Sequence, residues 1–152
     1  MGLIEVVIGA TIITVGLIAL IQAYSIYVNY ALGNQQNVQA SYMAEEGLEI
    51  AKILRDQSWS ANFGVMTSGT PYYFSWTGSA WATTTVPQYI EGMFLRSITL
   101  ADVYRDSGDL IVATPGTLDP NIKKVTATVA YYQGHATTTR SFSTYIANVY
   151  DN

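Results

Sequence analysis

A long uncharged segment near the N-terminus constrains this chain more than any other feature. Between Glu5 and Glu45 no residue carries a charged side chain, and Val6 to Ile21 is apolar except for Thr11 and Thr14. An apolar helix of about 20 residues is long enough to cross a hydrocarbon core of about 30 Å. On hydropathy alone, the simplest interpretation is a single-pass membrane anchor.

The flanks of this segment are unusual for an anchor. No Lys or Arg precedes it, and the first basic residue is Lys52, whereas an inserted anchor normally has basic residues on its cytoplasmic side. The features of a secretory signal peptide, a basic start and a small-residue cleavage site, are also missing. Either the orientation is weakly specified, or a basic leader has been removed and Met1 is a new N-terminus.

Glu5 is the second unusual feature. A carboxylate deep in lipid costs up to about 3 kcal/mol, so this residue requires a partner or a polar location. The alternative is that Glu5 lies in the headgroup layer and stabilises the positive end of the helix dipole.

The first residues of the chain resemble the mature N-terminus of type IV pilins and pseudopilins. In that family a prepilin peptidase removes a leader, the new first residue is N-methylated, and a glutamate stands fifth. Leu3, Ile4 and Glu5 match this pattern in type and spacing, while Met1 stands where the family usually has Phe. Gln22 stands where many pilins have a kinking Pro, and the segment 42–49 also resembles pilin-like proteins.

The resemblance implies a function without catalysis. Met1 would be methylated, and Glu5 would neutralise the N-terminal amine of a neighbouring subunit, since a buried charge is much less costly when paired. The implied partners are other copies of the chain, the prepilin peptidase, a membrane platform and an assembly ATPase. The subunit would span the cytoplasmic membrane once before assembly and would then lie in a filament on the cell surface.

Small residues recur at every seventh position of the apolar segment. Seven residues are nearly two helical turns, so these positions share one side of a helix, where small side chains let a second helix approach closely. The alternative is that glycine is simply frequent in membrane helices. The four positions, counted with Met1 and Glu5 as candidate assembly residues, are Gly2, Gly9, Gly16 and Ala23.

The spacing of apolar residues predicts that the helix continues to Arg55 as an amphipathic helix. Tyr24, Tyr27 and Tyr30 mark the end of the apolar part, as interface aromatics do. A core-facing stripe at i, i+3, i+4 spacing follows, and Glu45, Glu46, Glu49 and Lys52 fall largely off it. The stripe comprises Ala40, Met43, Ala44, Gly47, Leu48, Ala51 and Leu54.

Strand-forming residues dominate after Asp56. The sequence predicts a hairpin of 72–77 and 80–85, strands over 94–104, 110–114, 122–132 and 136–149, and loops at 115–121 and 133–135. The fold class is therefore α+β, with one long helix whose apolar first half protrudes and whose second half packs on an antiparallel sheet. The predicted organisation is an apolar helix, 1–28, and a globular domain, 29–152, divided into helix 29–56 and β-rich region 57–152.

Composition excludes several classes of chemistry. The chain has no Cys, a single His at 135, 7 Lys and Arg against 11 Asp and Glu, and a net charge of −4, which disfavours nucleic-acid binding by phosphate neutralisation. We expect no enzymatic activity, no cofactor and no metal site. Asp106 or Asp109 in a calcium-binding loop is the weaker alternative to ordinary turn chemistry. Trp59, Trp76 and Trp81 are expected in the core or between subunits.

The leading hypothesis is a structural subunit of a type IV pilus or a similar filament. A minor pilin or a pseudopilin of a type II secretion or DNA-uptake machine is the alternative, because the N-terminal motif is shared. A membrane-anchored binding module or enzyme is a third hypothesis, and it predicts a monomer that remains functional without residues 1–28.

Overall fold

The fold is α+β, with one long N-terminal helix followed by an antiparallel sheet on which the helix packs. A computed structural model describes residues 2–133 and 136–150. The chain divides into two compact units, residues 1–37 and 38–152. The predicted fold class and the predicted long helix are confirmed.

Helix α1 extends over Leu3–Gln57 without interruption, so its boundaries lie within two residues of the predicted ones. The short helix α2, Trp59–Asn62, follows directly. Ser58 is the N-cap of α2, and its side chain accepts a hydrogen bond from the Ala61 N–H at 3.2 Å. A serine at this position satisfies a backbone donor that the helix itself leaves unpaired, which lets the chain start a new turn after Gln57.

The described residues form seven strands in one antiparallel sheet. The central order is β2-β1-β4-β6-β7, and β3 and β5 both pair with β4. Their bounds are β1 Tyr72–Trp76, β2 Trp81–Thr84, β3 Tyr89–Ile90, β4 Phe94–Arg105, β5 Ile111–Val112, β6 Thr117–Gln133 and β7 Ala136–Ala147. The hairpin of β1 and β2 agrees with the sequence prediction, as do the long strands β4 and β7.

Strand β6 begins earlier than the sequence predicts. The segment 115–121 was expected to be a loop because of its prolines, but β6 starts at Thr117. The pairing with β4 is offset between Asp102, opposite Lys123, and Val103, opposite Asp119. Pro120 lies within this irregularity, where the ladder does not require the N–H that proline lacks. The short strand β3 was not predicted at all.

The core lies between the second half of α1 and one face of the sheet. Ala40, Ala44, Ala51 and Leu54 of the predicted helical stripe are buried, together with Ile50, which the stripe did not include. The other side of the core is formed by the buried residues that alternate with more exposed ones along β4 and β6. The buried apolar residues of those two strands are Phe94, Ile98, Leu100, Val103, Val125, Ala127, Val129 and Tyr131.

Gly47 sets how closely α1 approaches the sheet. A Cβ added at this position would lie 3.3 Å from the Ala127 Cβ and 3.3 Å from the Arg96 Cδ. Such contacts are tighter than ordinary van der Waals packing, so any side chain at this position requires Ala127 or Arg96 to move by a few tenths of an ångström. Gly47 therefore has a packing role in the described structure.

Candidate functional site

The N-terminal part of α1, taken within its own unit, is an exposed apolar surface. The large apolar side chains from Leu3 to Ile26 are between 50% and 86% exposed. By length and composition this helix qualifies as a membrane span, and none of its most apolar window is buried. Apolar surfaces of this extent mark sites of contact with a membrane or with other proteins.

Three hydroxyl side chains in the first half of α1 donate hydrogen bonds to carbonyls of the same helix. Thr11 Oγ1 donates to the Val7 carbonyl at 2.7 Å, and Thr14 Oγ1 donates to the Ala10 carbonyl at 2.8 Å. Ser25 Oγ donates to the Ile21 carbonyl at 3.0 Å. Bonding to the carbonyl four residues earlier lets these side chains enter a medium without water at little cost.

Glu5 caps the N-terminus of its own helix. Its Oε2 accepts a hydrogen bond from the Gly2 N–H at 3.0 Å, while the Glu5 N–H donates to the Gly2 carbonyl at 3.0 Å. This is the glutamate half of a capping box, in which the side chain of the third helical residue accepts a hydrogen bond from the backbone N–H of the residue that precedes the helix. This contact with its own helix was not among the roles expected for Glu5, although a glutamate at the third helical position is the sequence signal for it.

Met1 lies outside the described residues, so its predicted methylation and the pairing of its amine remain predictions. Within the described chain the carboxylate of Glu5 is exposed and bonded to the Gly2 backbone. A side chain that is exposed at the end of an apolar helix remains accessible to a cation from another molecule.

In residues 2–133 and 136–150, no atom packs closely against the glycines of the small-residue stripe. A Cβ at Gly9 or Gly16 would meet no atom within 4 Å, and at Gly2 only the Ile4 Cγ2 at 4.0 Å. Positions seven apart drift by only about 20° around a helix, so Gly2, Gly9, Gly16 and Ala23 share one side. The described residues therefore impose no steric requirement for glycine at Gly9 or Gly16.

The tyrosines at the end of the apolar segment are exposed. Tyr24, Tyr27 and Tyr30 are 70%, 71% and 73% exposed. An aromatic ring with a hydroxyl suits a boundary between apolar and aqueous surroundings. The position of that boundary remains a prediction, because the apolar side chains before these tyrosines are exposed as well.

A carboxylate in the sheet is held by two partners. Asp102 Oδ1 accepts from Lys123 Nζ at 2.5 Å and from Ser68 Oγ at 2.9 Å. The hydrogen bond from Lys123, and then the one from Ser68, lower the pKa of Asp102. This arrangement ties the loop before β1 to the irregular point where β4 and β6 change register.

Arg105 and Asp119 form a second ion pair across β4 and β6. Arg105 Nε lies 2.7 Å from Asp119 Oδ2, and this hydrogen bond lowers the pKa of Asp119. Both side chains are less than one-third exposed. The Asp102–Lys123 and Arg105–Asp119 pairs therefore join β4 to β6 on either side of the register shift. Their geometry indicates a structural role.

Asp106 and Asp109, the candidate calcium ligands, lie in a turn and contact residues of the chain itself. Asp106 Oδ1 accepts hydrogen bonds from the Gly108 and Leu110 N–H groups at 2.8 and 3.0 Å. Asp109 has a positive φ of 63° and lies 3.4 Å from Arg105 Nη1. Across residues 2–133 and 136–150, no three His, Asp or Glu side chains are grouped to hold a metal ion. His135 lies outside the described residues.

Arg96 is a charged residue that is buried, and the sequence patterns did not lead us to single it out. It is only 6% exposed, although it is charged, and it lies on β4 between the buried residues Phe94 and Ile98. The alternation of the strand contained this signal, because every second position from Phe94 to Leu100 faces the core. An arginine at such a position requires a partner inside the fold.

The three tryptophans differ in burial. Trp59 is buried and stacks on Phe63 with ring centroids 4.9 Å apart. Trp81 is partly buried against the core, whereas Trp76 is 57% exposed. Trp59 therefore lies in the core, one of the two expected locations, whereas Trp76 does not, and a contact of Trp76 between subunits remains a prediction.

Comparison with known proteins gives no relative from which a function can be transferred. No protein-family model, no curated protein and no solved structure matches this chain. The functional argument therefore depends on the residues and geometry described above.

Proposed function

We propose that this protein is a structural subunit of a type IV pilus or a pilus-like filament, polymerising through its apolar N-terminal helix. The observation that carries the proposal is the exposed apolar segment of α1 with the carboxylate of Glu5 at its start. The resemblance of the first residues to mature pilins supports the same function.

The exposed apolar surface requires an environment other than water. Burying one large aliphatic side chain is worth about 1.5–3 kcal/mol, and more than ten such side chains are exposed between Leu3 and Ile26. Lipid meets this requirement before assembly, and the helices of neighbouring subunits meet it afterwards. Hydrogen bonding within the helix, including Thr11 and Thr14, suits both surroundings.

Glu5 distinguishes a filament subunit from a simple anchor. Apolar helices slide past one another at little cost, so a single obligatory charge pair selects one axial position. In the proposed filament, the carboxylate binds the N-terminal amine of a neighbouring subunit, because an unpaired charge in an apolar bundle is costly. Its hydrogen bond to Gly2 holds the carboxylate at the helix end until that partner arrives.

Replacing Glu5 by Gln separates the two roles of this side chain. Glutamine keeps an oxygen that accepts from the Gly2 N–H, so the helix cap is retained, but the negative charge is lost. We expect Glu5→Gln to abolish surface filaments in cells that express the assembly machinery, while the membrane-inserted protein accumulates normally. Filaments are measured by electron microscopy and by immunoblot of sheared surface material.

The control is Glu45→Gln, which removes a charge from an exposed position further along α1 and should leave filaments unchanged. Normal filament yield in the Glu5→Gln variant would contradict the proposal. The proportion of this chain in sheared filaments distinguishes a major pilin, which dominates them, from a minor pilin or pseudopilin, which is present in traces.

A further inference from the structure

Strand β7 lies at one edge of the sheet and has an open side. β6 is its neighbour on one side, and no strand of the described residues pairs with its other side. β7 is 12 residues long, contains no Pro or Gly, and pairs with β6 without a register shift. Proteins usually protect such an edge with a short strand, a proline, a bulge or charges. Arg140 is the single charge along β7, whereas the opposite edge strand, β2, has just 4 residues.

The pairing with β6 determines which backbone groups face the open side of β7. In an antiparallel ladder, opposite residues alternate between pairs that exchange hydrogen bonds and pairs that do not. The Asn148 N–H donates to the Asn121 carbonyl at 2.8 Å, one step beyond the last paired residues, Ile122 and Ala147. Every second residue back from Asn148 therefore bonds to β6. The odd-numbered residues from 137 to 147 direct their N–H and C=O groups outward.

A row of backbone donors and acceptors at strand spacing is matched by another extended strand. A disordered peptide would lose conformational entropy on pairing, whereas a strand already folded in a sheet has lost it in advance. The longest strand with an open side in the described chain is β7 itself. A second copy of β7 is therefore the partner that this edge fits best, in an arrangement with two-fold symmetry.

The outward backbone groups restrict the register of such a pair. Each odd-numbered residue must lie opposite an odd-numbered residue of the second copy, because these residues have the groups that face the other strand. Two symmetric registers meet this condition and pair all but one of the 12 residues. One is centred on Ser141 and the other on Phe142. Centring on Phe142 places this residue opposite its own copy, Ser141 opposite Ser143, and Arg140 opposite Thr144.

A cavity of about 430 Å³ between α1 and β7 has an excess of negative charge in its lining. Two of its carboxylates have cationic partners, since Glu46 pairs with Arg96 and Glu49 pairs with Lys52. Glu45 is exposed and forms no ion pair within residues 2–133 and 136–150. Its carboxylate therefore remains accessible to a cation from another molecule. The charged lining residues are Glu45, Glu46, Glu49 and Lys52, and β7 contributes Thr144.

This cavity distinguishes the two registers. Opposite residues of paired strands share one face of the sheet. In the register centred on Phe142, the exposed Arg140 of each copy lies opposite Thr144 of the other, at the edge of the cavity that contains Glu45. In the register centred on Ser141, Arg140 lies opposite Phe142 instead, two residues further from Thr144. Charge complementarity therefore favours the register centred on Phe142.

We propose that two copies of this chain pair through their β7 strands, antiparallel and centred on Phe142, with Arg140 of each copy bound to Glu45 of the other. The pairing joins the two sheets into one and brings the partly exposed Phe142 rings together, as cross-strand aromatic pairs do. A two-fold contact relates chains of opposite direction, whereas repeated head-to-tail contacts build a filament. The contact therefore lies outside those that build the proposed filament, and the inference does not depend on filament formation.

Disulfide crosslinking of the full chain in detergent tests this pairing, because the chain has no Cys of its own. Ser141→Cys and Ser143→Cys are made in separate chains with different affinity tags, mixed and oxidised. In the proposed register these positions are opposite and within about 4.4–6.8 Å between Cα atoms, the range that a disulfide spans. We expect the mixture to give at least about tenfold more crosslinked dimer than either variant alone.

The matched control mixes Ser143→Cys with Thr137→Cys, which is exposed on the same strand but lies about 13 Å out of register in the proposed pair. It should give little dimer. Association through the apolar helices alone would crosslink the control and the test mixture equally, and this result would overturn the proposed pairing. Stronger crosslinking of Ser141→Cys with itself than with Ser143→Cys would overturn the register.

Reversing charges in separate chains tests the contact between Arg140 and Glu45. Both side chains are exposed, so the variants should fold normally. Arg140→Glu in both copies should lower the Ser141→Cys/Ser143→Cys crosslink by roughly tenfold, and Glu45→Arg in both copies should do the same. A mixture of Arg140→Glu chains with Glu45→Arg chains restores both ion pairs and should recover the crosslink. Absence of recovery would contradict the proposed contact.

Discussion

The Glu46 carboxylate lies 2.6 Å from the Arg96 guanidinium, joining α1 to the central strand β4. The arginine is 6% exposed and the glutamate 55% exposed, so the pair connects the interior to the surface. Arg96 also lies over the Phe74 ring, with its Cζ 5.3 Å from the ring centroid. Breaking such a pair from the exposed side leaves a buried cation with only weak partners.

We expect Glu46→Ala to lower the free energy of unfolding by about 2 kcal/mol, because the buried Arg96 loses its charged acceptor and keeps the longer contact to the Met43 carbonyl. Arg96→Met on its own removes the buried charge, so the double variant Glu46→Ala/Arg96→Met should be less destabilised than the sum of the two single variants. Urea unfolding of the full chain in detergent, followed by tryptophan fluorescence, measures this coupling. The exposed pair Glu49 and Lys52 is the control and should show coupling of only a few tenths of a kcal/mol.

Gly47→Val tests the close approach of α1 to the sheet. Added methyl groups would enter the space between Ala127 Cβ and Arg96 Cδ, and overpacking of this kind typically costs about 1–3 kcal/mol. We expect a loss of that size in urea unfolding, even though valine is a better helix former than glycine. Gly9→Val is the matched control, because its Cβ meets no atom of the chain within 4 Å. Equal stability of the two variants would contradict this packing role.

Gly16→Ile tests whether the small-residue stripe is a helix contact in the filament. The single chain leaves this position open, so the variant should insert and fold normally. If neighbouring helices pack there, loss of about 1.4 kcal/mol per contact reduces filament yield roughly tenfold. Ala10→Ile changes an exposed position about 120° away around the helix and should have a smaller effect. Equal yields from both variants would argue against a dedicated face.

Stability should fall in acid because Asp102 and Asp119 both have lowered pKa values in the folded state. The main causes are hydrogen bonds from Lys123 to Asp102 and from Arg105 to Asp119. A depressed folded pKa contributes stability that is fully present above the ordinary value of 3.8 and is lost as the pH falls through the folded value.

Thermal unfolding between about pH 6 and pH 2 measures this loss. The double variant Asp102→Asn/Asp119→Asn should show a shallower decline in melting temperature on the acid side than the unmodified chain. An identical pH dependence for both proteins would show that these two carboxylates do not carry the acid sensitivity.

Much of the fold was accessible from local patterns. The unbroken helix and the alternation of Val125, Ala127, Val129 and Tyr131 were predictable, because periodicity reports directly which positions share a face. Strand β6 was predicted to start too late, since Pro120 normally interrupts a strand. Its tolerance depends on a bulge in β6, where residues 120–122 have no partner on β4, and no local pattern predicts that register.

The candidate assembly residues were found from spacing alone, and their surroundings were not. Glu5, Gly9 and Gly16 stand out because charge and small size are rare or periodic in an apolar run. Coordinates were needed to show that Glu5 caps its own helix and that no described residue covers Gly9 or Gly16.

By itself, the sequence determined that this chain has an apolar helix continuing into an amphipathic one, followed by antiparallel strands, because periodicity and composition act over neighbouring residues. Only the tertiary structure decided which charges meet. Glu46 and Arg96 are 50 residues apart, and their contact arises from the packing of α1 on β4. That packing in turn depends on Gly47, where the absence of a side chain lets helix and sheet approach.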